Sequence, residues 1–442
     1  MTKQNLTKPR TLSGFAEFMP NEQIAFNRIL DAIRQSYEQY AFTPLDTPVL
    51  ELSEVLLAKA GGETEKQIYS FQKGDNNLSM RFDLTVPLAK YVAMHAGQLT
   101  FPFRRYQIGK VYRGERPQKG RYREFYQADV DIIGNGTLSL YHDAEIIGVI
   151  YTTLKTIGLP SFTIHINNRK VLSGFFEALN LTDQITDILR IIDKIAKIGA
   201  ENVRSELVDL GLDETQCDRV MAFIQTDGSN AEKIMALEKM DVDNTVFKEG
   251  VYELKTVIES AVLAGVPADV VDIDLCIARG LDYYTGTVYE TTINDYPQIG
   301  SICSGGRYEN LAGFYTNQKL PGVGVSIGVT RLFSQLLEYN LINIENESMR
   351  RVLIAPMDEA QMSAAFACAG VFRTAGIPTE VFVEKGKFKN KMAYADKMHI
   401  PFVAIIGEDE ADKGVVALKN MSTREQVMLT PDEAVPFLKE KM

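Results

Sequence analysis

Arg113-Gly114-Glu115-Arg116-Pro117-Gln118-Lys119-Gly120-Arg121-Tyr122-Arg123-Glu124-Phe125-Tyr126-Gln127 crowds basic side chains into a Gly-containing loop, with a carboxylate two places after the first arginine and an aromatic ring near the end. Residues 101 to 134 alternate as antiparallel strands do. The stretch therefore reads as a hairpin carrying Arg113 and Glu115 on one strand and Phe125 on the other. Such a hairpin can grip a nucleotide: guanidinium on phosphate, carboxylate on an exocyclic amine, ring face on the base. A charge run standing alone is more often a solvated surface, so the choice between the two rests on the rest of the chain.

Charge is distributed unevenly. The chain carries 47 Lys and Arg against 58 Asp and Glu, a net charge of -11, which argues against indiscriminate coating of nucleic acid. Yet Arg104, Arg105, Lys110, Arg113, Arg116, Lys119, Arg121 and Arg123 face the single acid Glu115 between positions 104 and 123, and Lys385, Lys387, Lys389 and Lys391 cluster again near the C-terminus. Basic patches on an acidic body favour selective docking. At 442 residues and 45% hydrophobic content, two or three domains are expected. The N-terminus lacks the apolar run of a secretory signal and no uninterrupted apolar stretch approaches a membrane span, so a cytoplasmic protein without a membrane partner is expected. Cys217, Cys276, Cys303 and Cys368 lie far apart, and His95, His142, His165 and His399 show no ligand spacing, so no resident metal is expected.

Competing nucleotide motifs fail on inspection. There is no Gly-x-x-x-x-Gly-Lys-Ser/Thr, the glycines at 322, 324 and 328 miss the dinucleotide pattern because Ile327 occupies the third glycine position, and the kinase signatures are absent.

The hairpin closely resembles the second signature motif of class II aminoacyl-tRNA synthetases, and its loop from Arg116 to Arg123 resembles that of the histidyl-tRNA synthetases. Arg279-Gly-Leu-Asp-Tyr-Tyr-Thr-Gly286 resembles a motif peculiar to that family, Cys303-Ser-Gly-Gly-Arg-Tyr-Glu-Asn-Leu311 its Gly-Gly-Arg-Tyr companion, and Gly322-Val-Gly-Val-Ser-Ile-Gly-Val-Thr-Arg331 the third class II motif, a Gly-spaced strand entering a helix that carries an arginine. Ile24, Phe26, Ile29, Leu30, Ile33 and Tyr37 recur at near-helical spacing, and the strand-like Thr43–Glu51 follows; this pair resembles the first class II motif, which in the family builds a homodimer interface.

The resemblance implies an α+β fold: an antiparallel-sheet catalytic domain over residues 1–342 with a helical insertion at about 175–265, broken at Gly211, Gly228 and Gly250. A linker at 343–351 and an α/β anticodon-binding domain with a mostly parallel sheet over 352–442 follow. It also implies ATP-dependent ligation of L-histidine to tRNA(His) through histidyl-adenylate, with Mg2+ escorting the phosphates. By resemblance, Arg113 and Arg279 are catalytic; Arg113, Glu115, Phe125 and Arg331 bind ATP; Asp83, Leu84, Thr85, Gln127, Asp131, Arg279, Tyr283 and Tyr284 bind histidine; and Arg116, Gln118, Lys119 and Arg121 contact tRNA. The wording Arg81-Phe-Asp-Leu-Thr85 departs from the common bacterial Arg-Pro-Glu-Gly-Thr and is more similar to eukaryotic and archaeal-type sequences. Synthetase-like chains also serve as noncatalytic regulators, such as the regulatory subunit of ATP phosphoribosyltransferase. That class typically lacks the C-terminal domain and has a degraded family-specific motif, whereas both are intact in this chain.

Overall fold

The computed structural model describes residues 7–58, 63–116, 120–192, 194–277, 284–310, 312–344 and 348–441. The chain forms two compact units, Met1–Glu17 with Ile29–Ile342 and Phe18–Arg28 with Asn343–Met442.

The strands of the first unit are β1 (Thr43–Pro44), β2 (Leu50–Leu52), β3 (Ser70–Lys73), β4 (Asn76–Met80), β5 (Phe103–Tyr112), β6 (Glu124–Ile133), β7 (Phe162–Asn168), β8 (Val271–Ile273), β9 (Thr287–Ile293), β10 (Cys303–Tyr308) and β11 (Gly322–Gly328). Among the described residues, eight of them form one sheet in the order β1-β5-β6-β11-β10-β9-β7-β8, and β2-β4-β3 form a small one. The large sheet is antiparallel from β5 to β7 and parallel only at its two edge pairs. The expected single strand Thr43–Glu51 is instead split between the two sheets, because Pro44 and Pro48 lack the N–H a continuing ladder needs.

Alternation along β5 and β6 sorts their side chains. Register pairs Tyr106 with Val130 and Arg104 with Ile132 on one face, and Arg105 with Asp131 and Gln107 with Asp129 on the other. The first face meets the helix Pro20–Gln39: the Tyr37 ring lies 5.8 Å from that of Tyr106, and its hydroxyl donates to the Ala128 carbonyl at 3.2 Å. The second face builds the site.

Between β7 and β8 the chain turns helical from Arg169–Ala178 to Thr245–Leu263. Helix starts are written into the sequence: Asp213 with Gln216, and Ser229 with Glu232, form reciprocal capping boxes. Gly211 and Gly228, at φ +103° and +113°, lie between helices as expected, Gly211 just past Ala200–Asp209 and Gly228 just before the Ser229 cap. Gly250 does not: it sits inside Thr245–Leu263, where a Cβ would come within 2.5 Å of the Val171 backbone nitrogen. Its missing side chain lets two helices touch, which a reading of glycine as a breaker overlooks.

The second unit holds β12 (Val352–Pro356), β13 (Thr379–Val381), β14 (Phe402–Ile406), β15 (Val416–Asn420) and β16 (Gln426–Leu429), ordered β13-β12-β14-β15-β16. Its core gathers Val352, Ile354, Phe372, Phe402, Ala404 and Leu438. The first three strands are parallel but β14, β15 and β16 pair antiparallel; the connections from Ile406 to Val416 and from Asn420 to Gln426 are both too short for a crossover. Lys391 leaves the expected basic cluster: it is buried, donates through Nζ to the Pro356 carbonyl and lies over the Phe382 ring. Lys385 stays exposed, 3.3 Å from Glu359. Among the described residues, no helix is long and apolar enough to cross a membrane.

Candidate active site

Just past the end of β5, Arg113 lies close to two aromatic rings. Its guanidinium carbon is 4.4 Å from the Phe82 ring centroid and 5.0 Å from that of Phe125, and its Nε donates to the Phe82 carbonyl at 3.2 Å. Such contacts restrict the orientation of the guanidinium. Arg113 and Arg123 continue the strand pairing through a 2.9 Å backbone bond, and Arg123 Nε donates to the Glu115 carbonyl at 3.0 Å. The Glu115 carboxylate is 3.7 Å from Arg121, while Arg116 and Arg121 are exposed. Gln118 and Lys119 lie outside the described residues.

Beyond the loop the chain is pinned to the helix Val329–Glu338, which continues β11 directly. The Thr330 hydroxyl accepts the Tyr126 N–H at 2.8 Å, Tyr122 and Ser334 share a hydrogen bond of 2.7 Å, and Arg331 donates to the Ile299 carbonyl at 2.9 Å. Arg331 is thus brought beside the hairpin from a segment about 200 residues distant in sequence.

Deeper along β6, Gln127, Asp129 and Asp131 share one face, and all are buried. Gln127 Nε2 donates to Ser326 Oγ at 2.9 Å, and Ser326 donates to Asp129 at 2.5 Å. Asp131 takes the Tyr308 hydroxyl at 3.0 Å on one oxygen and Arg105 Nη2 at 2.6 Å on the other. This is possible because Gly324 faces it across the ladder: a Cβ there would lie 2.2 Å from the Asp131 carboxylate. Arg105 is fully buried, and its Nε and Nη1 hydrogen-bond to none of the described residues. Burial pushes the Asp129 carboxyl up to about 7 against the pull of Arg105. Asp131 is raised as well, again chiefly by burial.

Asp83 caps the helix Thr85–His95, accepting the backbone N–H groups of Thr85 at 3.0 Å and Val86 at 2.8 Å. It lies close enough to raise both Asp129 and Asp131. Leu84 is fully buried, so its side chain belongs to the core. Tyr284 packs against the cluster of Leu88, Val92, Ile133 and Tyr308. Arg279 and Tyr283 lie outside the described residues. The arginine of Gly-Gly-Arg-Tyr is an anchor: Arg307 pairs with buried Asp143 at 2.5 Å and donates to the carbonyls of Leu138 and Ser139.

An arginine close to two aromatic rings at one end of the β5–β6 pair and a buried network of carboxylates, Gln127, Ser326 and Arg105 further along its polar face are the chemistry-bearing groups brought together here. The family model described as histidyl-tRNA synthetase matches residues 14–332, and that of an anticodon binding domain matches 351–441. The chain belongs to the histidyl-tRNA synthetase family. A histidine--tRNA ligase of Clostridium tetani is 54% identical over 439 residues, 99% of either chain. The crystal structure of histidyl-tRNA synthetase from Nostoc sp. PCC 7120 superposes with a TM-score of 0.91 at 39% identity, covering 99% of this chain and 100% of the other. A Bacillus halodurans structure titled as an ATP phosphoribosyltransferase regulatory subunit/histidyl-tRNA synthetase shares the fold, with a TM-score of 0.76 at 21% identity over 91% of this chain and 100% of the other.

For this family member, sequence reading passed over four residues of the site: Phe82, Arg105, Asp129 and Ser326. The signal for Asp129 was present, since Gln127-x-Asp129-x-Asp131 has the period of one strand face.

Proposed function

We propose that this chain is a histidine–tRNA ligase that activates L-histidine with ATP to histidyl-adenylate and transfers histidine to the 3' end of tRNA(His), releasing AMP and diphosphate. The observation that carries the reading is Arg113 within 4.4 Å of the Phe82 ring centroid and 5.0 Å of that of Phe125, next to the strand pair that bears the buried carboxylates Asp129 and Asp131. In the first step, a histidine carboxylate oxygen bonds to the α-phosphorus, the bond to the β-phosphate oxygen breaks, and diphosphate leaves. Two anions must meet, so preorganised cations carry most of the catalysis. Arg113 takes the α-phosphate, Arg331 the terminal phosphates, and Arg279 bridges α-phosphate and histidine carboxylate. Phe125 keeps its second face for adenine, and Glu115 accepts the adenine amine. In the second step the terminal ribose hydroxyl attacks the activated carbonyl, and AMP departs with the bonding electrons.

Asp83, Thr85 and Gln127 receive the α-ammonium, and Leu84 packs its side chain into the core, leaving its backbone between Asp83 and Thr85. Asp131, Tyr283 and Tyr284 read the imidazole; a carboxylate has lone pairs to spare beyond its bonds to Tyr308 and Arg105. Magnesium enters as the counter-ion of the triphosphate substrate, a habit of that ion; among the described residues no group of three or more His, Cys, Asp or Glu is placed to hold a metal. Residues 1–342 form the catalytic domain and 352–442 the anticodon reader, joined by the linker 343–351, with Arg116, Gln118, Lys119 and Arg121 contacting tRNA. The helix Pro20–Gln39 serves a homodimer, and the protein works in the cytoplasm.

Exchange of labelled diphosphate into ATP across a panel of amino acids tests the reading. Exchange with histidine alone, followed by charging of tRNA(His), is the expected result; no exchange with histidine in folded protein overturns it.

A further inference from the structure

The Gln127 amide can show a ligand either a carbonyl, which accepts, or an NH2, which donates, and only the carbonyl suits an ammonium. Its partner Ser326 has one proton to give. Ser326 Oγ lies 2.5 Å from Asp129 Oδ1 and 2.9 Å from Gln127 Nε2. With Asp129 a carboxylate, which only accepts, that proton is committed to Asp129. Ser326 then offers Gln127 nothing but lone pairs, so the amide must turn its NH2 to Ser326 and its carbonyl away. Gln127 Oε1 is buried and meets no donor among the described residues. A buried acceptor without a donor is costly unless a ligand supplies one.

We infer that Ser326 and Asp129 are positioning residues which lock the Gln127 amide with its carbonyl toward the amino-acid ammonium, an inference resting on the placement of Gln127 at that group. The relay touches no substrate atom; it acts by fixing which end of the amide the substrate meets.

The arrangement depends on the ionisation of Asp129. The groups that act on it or feel it are Arg105 on β5, Asp131 on β6, Asp83 at its helix cap, Tyr37 on the N-terminal helix and Cys303 on β10. Burial leads and lifts the carboxyl to about 7, with Asp131 and Asp83 adding to it and Arg105 and Ser326 opposing. As pH falls through that value, Asp129 gains a proton and becomes a donor. Ser326 is then released to donate to the Gln127 carbonyl, and the amide is free to reverse, presenting NH2 to an ammonium. Affinity for histidine should weaken in acid for a reason separate from the titration of the substrate's own imidazole.

The test measures KM for histidine and for ATP by diphosphate exchange between about pH 6 and 8.5, a window that brackets the raised Asp129 carboxyl, in Asp129→Asn, Ser326→Ala, Ser326→Thr and Gln127→Ala. The amide introduced by Asp129→Asn can show Ser326 either its NH2 or its carbonyl at every pH, so the direction of the relay is no longer enforced; this variant should raise histidine KM on the order of tenfold at pH 8, the effect of one misdirected hydrogen bond to a charged group, and leave ATP KM within about twofold. Its gap from wild type should close towards pH 6; comparing the two enzymes at each pH cancels the substrate's titration. Ser326→Ala should raise histidine KM severalfold, and Ser326→Thr, which keeps the hydroxyl, should restore it. If Gln127→Ala weakens histidine binding while Asp129→Asn and Ser326→Ala do not, the relay is overturned and the placement of Gln127 stands. If Gln127→Ala leaves histidine KM unchanged, that placement falls and the relay with it. A parallel rise in both KM values, or a gap that does not change with pH, also overturns the relay.

Discussion

The two faces of the β5–β6 pair are built to opposite rules. On one, Tyr106, Ala128, Val130 and Ile132 are apolar or aromatic and buried, an ordinary core. On the other, Arg105, Gln127, Asp129 and Asp131 are polar and equally buried, at 0%, 9%, 3% and 6% exposure. An antiparallel sheet normally gives its polar face to water. Withholding water from four polar side chains is costly, and the cost is justified where a ligand will complete the network. The apolar face holds the fold together; the polar face weakens it locally, and on the proposed function it is the face that meets the substrate.

The sharpest way to break the contrast is to remove Arg105. Arg105→Met leaves Asp131 buried without its cation, and loss of one partner of a buried pair typically costs about 3–5 kcal/mol. Asp131 escapes part of that cost by taking a proton. With Arg105 gone its pKa rises further above the unfolded value, and a carboxyl raised on folding loses stability as pH increases. Urea unfolding should therefore show a greater loss at pH 8 than at pH 6. On the apolar face, Ile132→Val should cost only about 0.5–1.5 kcal/mol, with no dependence on pH. Equal, pH-independent losses would mean that the polar face is merely another core.

A second variant separates chemistry from stability. Arg113→Ala should slow adenylate formation on the order of a hundredfold, about 2.7 kcal/mol, while the unfolding midpoint barely moves. If the protein instead destabilises by several kcal/mol, the contact with the rings is a structural device and the catalytic assignment falls.

The contrast also marks where sequence reading succeeds. The hairpin and the alternating strands and helices after residue 351 rest on local periodicity, which the chain displays openly, whereas the Gly-spaced strand running into the Arg331 helix is read from its resemblance to a family motif. The polar face was half legible: Gln127, Asp129 and Asp131 alternate, but alternation looks the same whether the polar side meets water or is buried. Burial is decided by Tyr308, Ser326 and Arg105, which are distant in sequence. Gly250 was misread for a related reason, since a glycine that ends a helix and one that admits a neighbouring helix are the same letter. Asp83 is read only by resemblance as an acceptor for the amino group, and its bonds to the Thr85 and Val86 N–H groups go unread although Asp before a helix is a local signal.

Arg104, the neighbour of Arg105, offers a milder comparison. It points to the other face and pairs with Glu145 at 2.7 Å, where the carboxylate side chain is 32% exposed. Burial raises the Glu145 carboxyl, but hydrogen bonds from His142 and Arg104 outweigh it and hold it down at about 2. A depressed carboxyl contributes stability above its unfolded value near 4.5, which is lost as pH falls towards 2. Glu145→Gln should therefore be less stable than wild type by about 1–2 kcal/mol, screening by solvent allowed for, with the difference constant above about pH 5 and shrinking below about pH 4. Unlike the pair Arg105→Met disrupts, this one loses its worth in acid through protonation of a depressed carboxyl, whereas the Arg105→Met penalty grows with pH because a raised carboxyl must ionise. Unfolding of both variants at about pH 3.5, 6 and 8 checks this, and penalties that follow the same pH course, with the same midpoint, would refute the division between the faces.

The smallest effect concerns Phe82, which stands where the common bacterial wording has proline. Its ring centroid is 4.4 Å from the Arg113 guanidinium and that of Phe125 5.0 Å, and each such contact is worth about 0.5–1 kcal/mol at a partly exposed site. Phe82→Ala removes one ring without removing the charge. The guanidinium then samples more orientations before ATP arrives, and ordering it is charged against nucleotide binding. KM for ATP should rise about two- to fivefold, while the turnover of saturated enzyme and KM for histidine hold steady. Phe82→Leu, which offers bulk but no ring face, should behave like alanine if the ring's electrostatics matter and like wild type if only packing does. A fall in turnover as large as that of Arg113→Ala would show that Phe82 aligns the arginine in the transition state itself, and the rings would then belong to the catalytic apparatus.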